Sequence, residues 1–142
     1  MADYFVWNEE TLGLKIHQID KDHQVLIDKM NIIYKAVQSK AGSVDIERFL
    51  NDLMRVTQKH FADEEIFMEK FKFQGIETHK IIHQQLLSRL AEHIAEFKNR
   101  RVMTESFFDF LKSWLTGHIR GIDTKYARAY LESTNGGAKK TA

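Results

Sequence analysis

Residues 49–71 read FLNDLMRVTQKHFADEEIFMEKF, and their pattern sets the fold. Phe49, Leu50, Leu53, Val56, Phe67, Met68 and Phe71 recur at three- and four-residue steps, as on a helix with one buried face. His60 and Glu64 stand in the same phase. Residues four apart are offset by only about 40° around a helix, so both side chains point with the apolar stripe toward a core. A polar side chain left unpaired there costs a few kcal/mol, and a carboxylate in such company needs a cation beside it.

Three further segments repeat the pattern. Ile19, His23, Leu26, Ile27, Met30, Tyr34 and Val37 mark the first, and Ile76, His79, Ile82, His83, Leu86, Leu90, Ile94 and Phe97 another. The last carries Phe108, Leu111, Leu115, His118, Ile119 and Ile122. The chain has no proline, which favours long uninterrupted helices. Breaks fall at Gly42-Ser43, at Gly75, and at Asn99-Arg100-Arg101 followed by Thr104. Ser43 is a candidate N-cap, with Asp45 and Glu47 suited to the positive start of a helix. Helices joined by such short breaks predict an all-α, antiparallel up-down-up-down four-helix bundle over residues 1–132. Residues 1–18, with Phe5 and Trp7, read as a packed N-terminal arm, and 133–142, with Gly136-Gly137 and Lys139-Lys140, as a disordered tail.

Bulk composition narrows the function. The 142 residues are 43% hydrophobic with a net charge of +1, which fits one globular domain and gives no electrostatic case for nucleic acid or an acidic membrane surface. No apolar run reaches membrane-spanning length, and the N-terminus lacks a signal-peptide pattern, so a cytoplasmic location is expected. Cysteine is absent, excluding disulfides, thiolate zinc sites and iron–sulfur clusters.

His23, His60 with Glu64, His79 with His83, and His118 with Asp123 thus place five imidazoles and two carboxylates on the buried faces of four segments. A shared partner, a buried metal centre, is the economical reading. His118 and Asp123 are five residues apart, a step that an ideal α-helix splays by about 140°. A local π-type turn, a loosening at Gly121, or a solvent-facing Asp123 paired with Lys125 or Arg128 would each account for it. His17 and His93 lie off the stripes and are expected at the surface or half-buried. Glu65 points away from Glu64 and reads as solvated face, and the ten phenylalanines and two tryptophans read as core filling.

Five imidazoles and two carboxylates exceed a tetrahedral zinc site. They suit two six-coordinate ions bridged by both carboxylates, and imidazole with carboxylate fits iron, whereas calcium or magnesium would want more oxygen. A ferritin-like di-iron protein would carry Glu-x-x-His motifs, and this chain has none.

Four stretches now carry a resemblance: Ile19-Asp20-Lys21-Asp22-His23, His60-Phe61-Ala62-Asp63-Glu64, His79-Lys80-Ile81-Ile82-His83, and Trp114-Leu115-Thr116-Gly117-His118-Ile119 through Asp123. With Lys125-Tyr126 after the final His-x4-Asp, the chain from Trp7 to Tyr130 resembles the hemerythrin family, in its single-domain bacterial form. The resemblance implies two iron ions (Fe2+/Fe3+) with an oxo or hydroxo bridge. His79, His83 and His118 would hold one iron, His23 and His60 the other, and Glu64 and Asp123 would bridge them. The two-His iron would be one ligand short, and dioxygen would bind there, in a pocket lined by Phe61, Trp114, Leu115 and Ile119. Asp22 stands where this family commonly has Gln, and Lys15 where Gly is frequent.

The implied function is reversible dioxygen binding for storage, delivery or scavenging, without enzymatic turnover, with an oxygen-consuming protein as a partner for delivery. Two alternatives remain open: a di-iron oxidase, peroxidase or nitric oxide handling enzyme, and an oxygen-sensing module acting through a separate partner. No nucleophile or further cofactor motif in the sequence supports the enzyme.

Overall fold

Helices form where the periodicity runs. The computed structural model describes residues 4–133 in full and the backbone alone of 134–141, so the tail expected over 133–142 lies, Ser133 apart, outside the described side chains. A short helix α1 (Glu9–Leu12) sits in the N-terminal arm. The bundle proper is α2 (His17–Gln38), α3 (Ser43–Lys70), α4 (Ile76–Arg100) and a composite fourth rod. That rod is α5 (Glu105–His118), a π-helical turn (Ile119–Asp123) and α6 (Thr124–Thr141). α2 packs on α3 and α3 on α4.

The chain direction alternates, and this decides where the polar residues meet. His23 lies near the start of α2, His60 and Glu64 in the second half of α3, His79 and His83 near the start of α4, and His118 at the end of α5. Antiparallel packing of successive helices brings all of these to one end of the bundle. The other end is hydrocarbon: Met30, Ile33, Leu50, Leu53, Leu90, Ile94, Phe97, Phe107 and Leu111 are buried. Burying a side chain of this size contributes about 1.5–3 kcal/mol, set against the conformational entropy lost on ordering it.

The helix ends differ from the sequence reading in one respect. Two of the three breaks carry a glycine, Gly42 and Gly75, yet among the described residues every left-handed position is occupied by a cation: Lys15, Lys40, Lys72 and Arg101. After α2, the Lys40 N–H donates to Val37 O at 3.1 Å and the Ala41 N–H to Ala36 O at 2.9 Å, a Schellman motif with Lys40 in the left-handed position. Lys72 and Phe73 repeat it against Glu69 and Met68 after α3. After α4, the Arg101 N–H donates to Phe97 O at 2.7 Å, the simpler left-handed cap. A cation at a helix C-terminus interacts favourably with the macrodipole, which offsets part of the strain of φ > 0. Gly42 and Gly75 are instead the N-caps of α3 and α4, so Ser43 is the first helical residue and not the cap. Lys15, at φ 62°, holds a backbone conformation that glycine would adopt without strain.

The N-terminal arm is tied along the bundle by hydrogen bonds. The Phe5 N–H donates to Asn31 Oδ1 at 3.0 Å, and Asn31 Nδ2 donates back to Phe5 O at 2.8 Å. The Leu14 N–H donates to the buried Asp20 Oδ1 at 2.8 Å. Asn8 caps α1, accepting from Glu10 N–H and Thr11 N–H, and α1 packs on the π turn.

Lys40 is exposed and far from the polar end. Replacing it by glycine should relieve the left-handed strain and raise unfolding stability by about 1 kcal/mol in urea titration, with metal content unchanged. A drop in stability would mean that the cation's interaction with the end of α2 outweighs the backbone term.

Candidate metal centre

The two carboxylates are the focus. Glu64 and Asp123 have no solvent-exposed surface, and the five histidines around them are each at most 7% exposed. Glu64 Oε1 lies 3.1 Å from His83 Nε2, while its Oε2 lies 3.3 Å from His60 Nε2 and 3.4 Å from His23 Nε2. Asp123 Oδ1 lies 3.0 Å from both His79 Nε2 and His118 Nε2, and its Oδ2 3.2 Å from His23 Nε2. Each carboxylate thus turns one oxygen to the His79, His83 and His118 group and the other to the His23 and His60 group.

These approaches are close without being hydrogen bonds. Both nitrogens of His23, His60 and His118, the Nε2 atoms of His79 and His83, Glu64 Oε1 and both Asp123 oxygens have no hydrogen-bond partner. Buried polar atoms are otherwise nearly always satisfied. Here the five Nε2 atoms and the carboxylate oxygens converge between the side chains. Glu64, His79, His83, His118 and Asp123 form one set with ligand atoms within 4.8 Å of one another, and His23, His60 and Glu64 a second. Orphaned nitrogen and carboxylate donors in two adjoining sets are what a pair of borderline transition-metal ions requires.

The electrostatics agree. Burial opposes charge on Glu64, yet the imidazoles of His60, His23 and His83 outweigh it and hold its carboxyl well below the usual range. Burial and the charge of Glu64 both push Asp123 up, and His118 and His23 more than reverse the shift. Burial likewise opposes a proton on His60, but the surrounding Glu64, Asp22 and Asp123 carboxylates push its pKa up to about 10. Two buried negative charges demand positive charge nearby, and protons supply it when metal does not.

The His118–Asp123 step is resolved by the π turn. Its i→i+5 closure brings the two side chains to one face, so neither loosening at Gly121 nor a solvent-facing Asp123 is needed. Of the residues expected to line an oxygen pocket, Phe61 stacks flat on His83 at 3.8 Å and meets Trp114 at 6.0 Å. Leu115 and Ile119 are buried on either side of His118 along the composite rod. His17 is exposed, and half-buried His93 stacks on Phe110 outside the cluster.

Two contacts escaped the sequence reading. The Tyr126 hydroxyl, fully buried, donates to Glu64 Oε2 at 2.6 Å, and burial with the nearby Glu64 and Asp123 charges pushes its pKa well up, so it remains a neutral donor. Its position three residues after Asp123, on the same helical face, was the available signal. Glu65 is not solvated face: its Oε2 lies 2.9 Å from His83 Nδ1. Asp22 stands 3.8 Å from His60 Nδ1, too far for a hydrogen bond, beside a surface cavity of about 200 Å³ that His60 also lines.

Fold and site together define a four-helix cation-binding domain with a nitrogen-rich, dinuclear donor set. The sequence profile of the hemerythrin HHE cation-binding domain matches residues 14–130. Bacteriohemerythrin of Pseudomonas paraeruginosa is 30% identical over 130 residues, covering 92% of this chain and 84% of that protein. Myohemerythrin of Riftia pachyptila is 33% identical over 122 residues, 86% of this chain and 90% of that one. The crystal structure of a wild-type hemerythrin shares the fold, with a TM-score of 0.79 over 88% of this chain and 96% of that one at 22% identity. The chain belongs to the hemerythrin family, and so to the non-haem di-iron proteins that bind dioxygen. Among the described residues no helix is long and apolar enough to cross a membrane.

The raised pKa of His60 fixes a sign for the metal-free protein. A proton held more tightly folded than unfolded adds stability below the ordinary value of 6.5, and that stability is lost as pH rises toward 10. Thermal melts of chelator-treated protein should therefore fall across this window, and those of iron-loaded protein should fall much less. Parallel declines in both forms would show that protons and metal do not compete for the cluster.

Proposed function

We propose that His79, His83 and His118 hold one iron, His23 and His60 the second, and that Glu64 and Asp123 bridge the two. The observation that carries this reading is the division of each carboxylate's oxygens between the two histidine groups. When bound, the iron pair supplies reversible two-electron redox chemistry to dioxygen.

The chain's own residues favour carriage over turnover. Phe61 stacks on His83, and it, Trp114, Leu115 and Ile119 are all buried, a lining that would keep water from the bound gas. Breaking the O–O bond calls for a proton donor on the metal-facing side. Asp22 and Glu65 both face Nδ1 atoms, behind the imidazoles and away from the Nε2 atoms that meet the central carboxylates. Tyr126 keeps its proton and directs it to Glu64. The protein accordingly binds and returns dioxygen, as a store, a scavenger or a source for an oxygen-consuming partner, and is not an enzyme. A cytoplasmic location belongs to the same proposal.

Protein expressed in iron-replete medium should hold about two irons per chain by elemental analysis, as a seven-ligand set shared by two six-coordinate ions requires. Glu64→Ala or Asp123→Ala should empty the site and destabilise the bundle, because the remaining histidines would stay buried without their cation. His17→Ala and His93→Ala should keep full iron, and loss of iron in either would redraw the ligand set.

Reduced protein should take up one dioxygen per iron pair and release it under argon over repeated cycles, followed by absorbance. Leu115→Ala, which opens a cavity or water path beside the cluster, should shorten the number of reversible cycles at unchanged iron content. Steady oxygen consumption under a reductant, in place of stoichiometric uptake, would end the carrier reading in favour of an oxidase.

A further inference from the structure

Glu65 follows Glu64 on α3 but serves the opposite side of the same imidazole. Its Oε2 lies 2.9 Å from His83 Nδ1 across the α3–α4 interface, while Glu64 Oε1 lies 3.1 Å from His83 Nε2. One histidine of α4 is therefore spanned by two successive carboxylates of α3. The Glu65 side chain is 28% exposed and that of His83 1%, so the contact reaches from the rim of the bundle to its interior. Phe61 lies against the face of the ring, with an interplanar angle of 2°, and fixes its plane.

A neutral imidazole carries one proton and can place it on either nitrogen. A carboxylate at Nδ1 accepts the proton there and leaves the Nε2 lone pair directed inward, and it makes that nitrogen a stronger donor. His83 differs in this respect from three of the other histidines. The Nδ1 atoms of His23, His60 and His118 have no hydrogen-bond partner, and the nearest analogue, Asp22 behind His60, is 3.8 Å away.

Resting on the iron assignment above, we infer that Glu65 is a positioning residue for the iron centre. It fixes the tautomer of His83 and raises the donor strength of its Nε2 toward the three-His ion. Negative charge passed through His83 favours the higher oxidation state on that side. The two irons are thereby unequal before any gas arrives, the three-His ion being the more firmly held and the more easily oxidised.

Three variants test this. Glu65→Ala removes the acceptor. Glu65→Gln keeps an oxygen that accepts from Nδ1–H but removes the charge. Glu69→Gln removes an exposed carboxylate one turn further along α3 and serves as a control for surface charge. Iron affinity would be read by chelator competition, the midpoint potential by spectroelectrochemistry, and folding by circular dichroism. Glu65→Ala should lower affinity for the tighter iron by about 10- to 100-fold. Glu65→Gln should hold affinity near that of the unaltered protein and shift the midpoint potential upward, toward easier reduction, while Glu69→Gln changes neither. If the unaltered protein loads two irons and Glu65→Ala matches its affinity, or Glu65→Gln matches its potential, the inference is overturned and the ligand assignment stands. Failure of the unaltered protein to load iron would overturn both.

Discussion

Two carboxylates with no exposed surface, Glu64 and Asp123, set the terms for this bundle. Removing one such charge from water costs several kcal/mol even after the protein relaxes, and the cost is recovered only if positive charge and good geometry meet it. Among the described residues no lysine or arginine pairs with either carboxylate; the groups that face them are five imidazoles and one phenol. Imidazoles are weak counter-charges on their own but good metal ligands, so the arrangement is complete only with ions at its centre. The hydrocarbon half, from Met30 and Leu50 to Phe97 and Leu111, supplies the folding free energy that lets the polar half persist.

The π turn is the local cost of that arrangement. α5 ends on His118, and Asp123 must return to the same face five residues later, so one turn widens between them. Gly121 lies inside the widened turn without being its cause. Among the described glycines none has a positive φ, and a Cβ built on Gly121 would meet nothing within 4 Å. What holds the turn open is the pair of contacts at its ends. Asp123 meets His118 at 3.0 Å, and Tyr126, in phase with Asp123 on the first turn of α6, reaches Glu64. α1 of the N-terminal arm packs on the same turn, so a distortion required by the site is also buttressed from outside.

Much of this was legible in the sequence because helical phase repeats. His60 and Glu64 share a face with Leu53 and Met68, and nothing beyond the 3.6-residue period was needed to place them inside. The helix ends were less legible, since Lys40, Lys72 and Arg101 occupy the left-handed positions where glycine is the common signal. Phase also misled at Glu65. Phase treats each side chain as a direction from the helix axis, and Glu65 does point away from Glu64. A glutamate is long enough to lean across the groove to the next helix, and that reach depends on how α3 and α4 pack, which neither segment encodes alone. Tyr126 was half visible, on the right face three residues after Asp123, but the partner of its hydroxyl is 62 residues away in sequence.

The unequal division of donors follows from one residue choice. α3 and α4 each present an i,i+4 pair toward the centre, His60 with Glu64 and His79 with His83. Had both pairs been histidines, the interior would lack a second carboxylate, and the two donor groups would have only Asp123 in common. Glutamate at the second position of the α3 pair serves both groups at once: Oε1 faces His83 while Oε2 faces His60 and His23. It also removes one imidazole from the α2–α3 side, leaving two there against three on the α4–α5 side. The same residue that ties the two groups together therefore leaves one of them poorer in donors, so the tie and the asymmetry arise from a single position on α3.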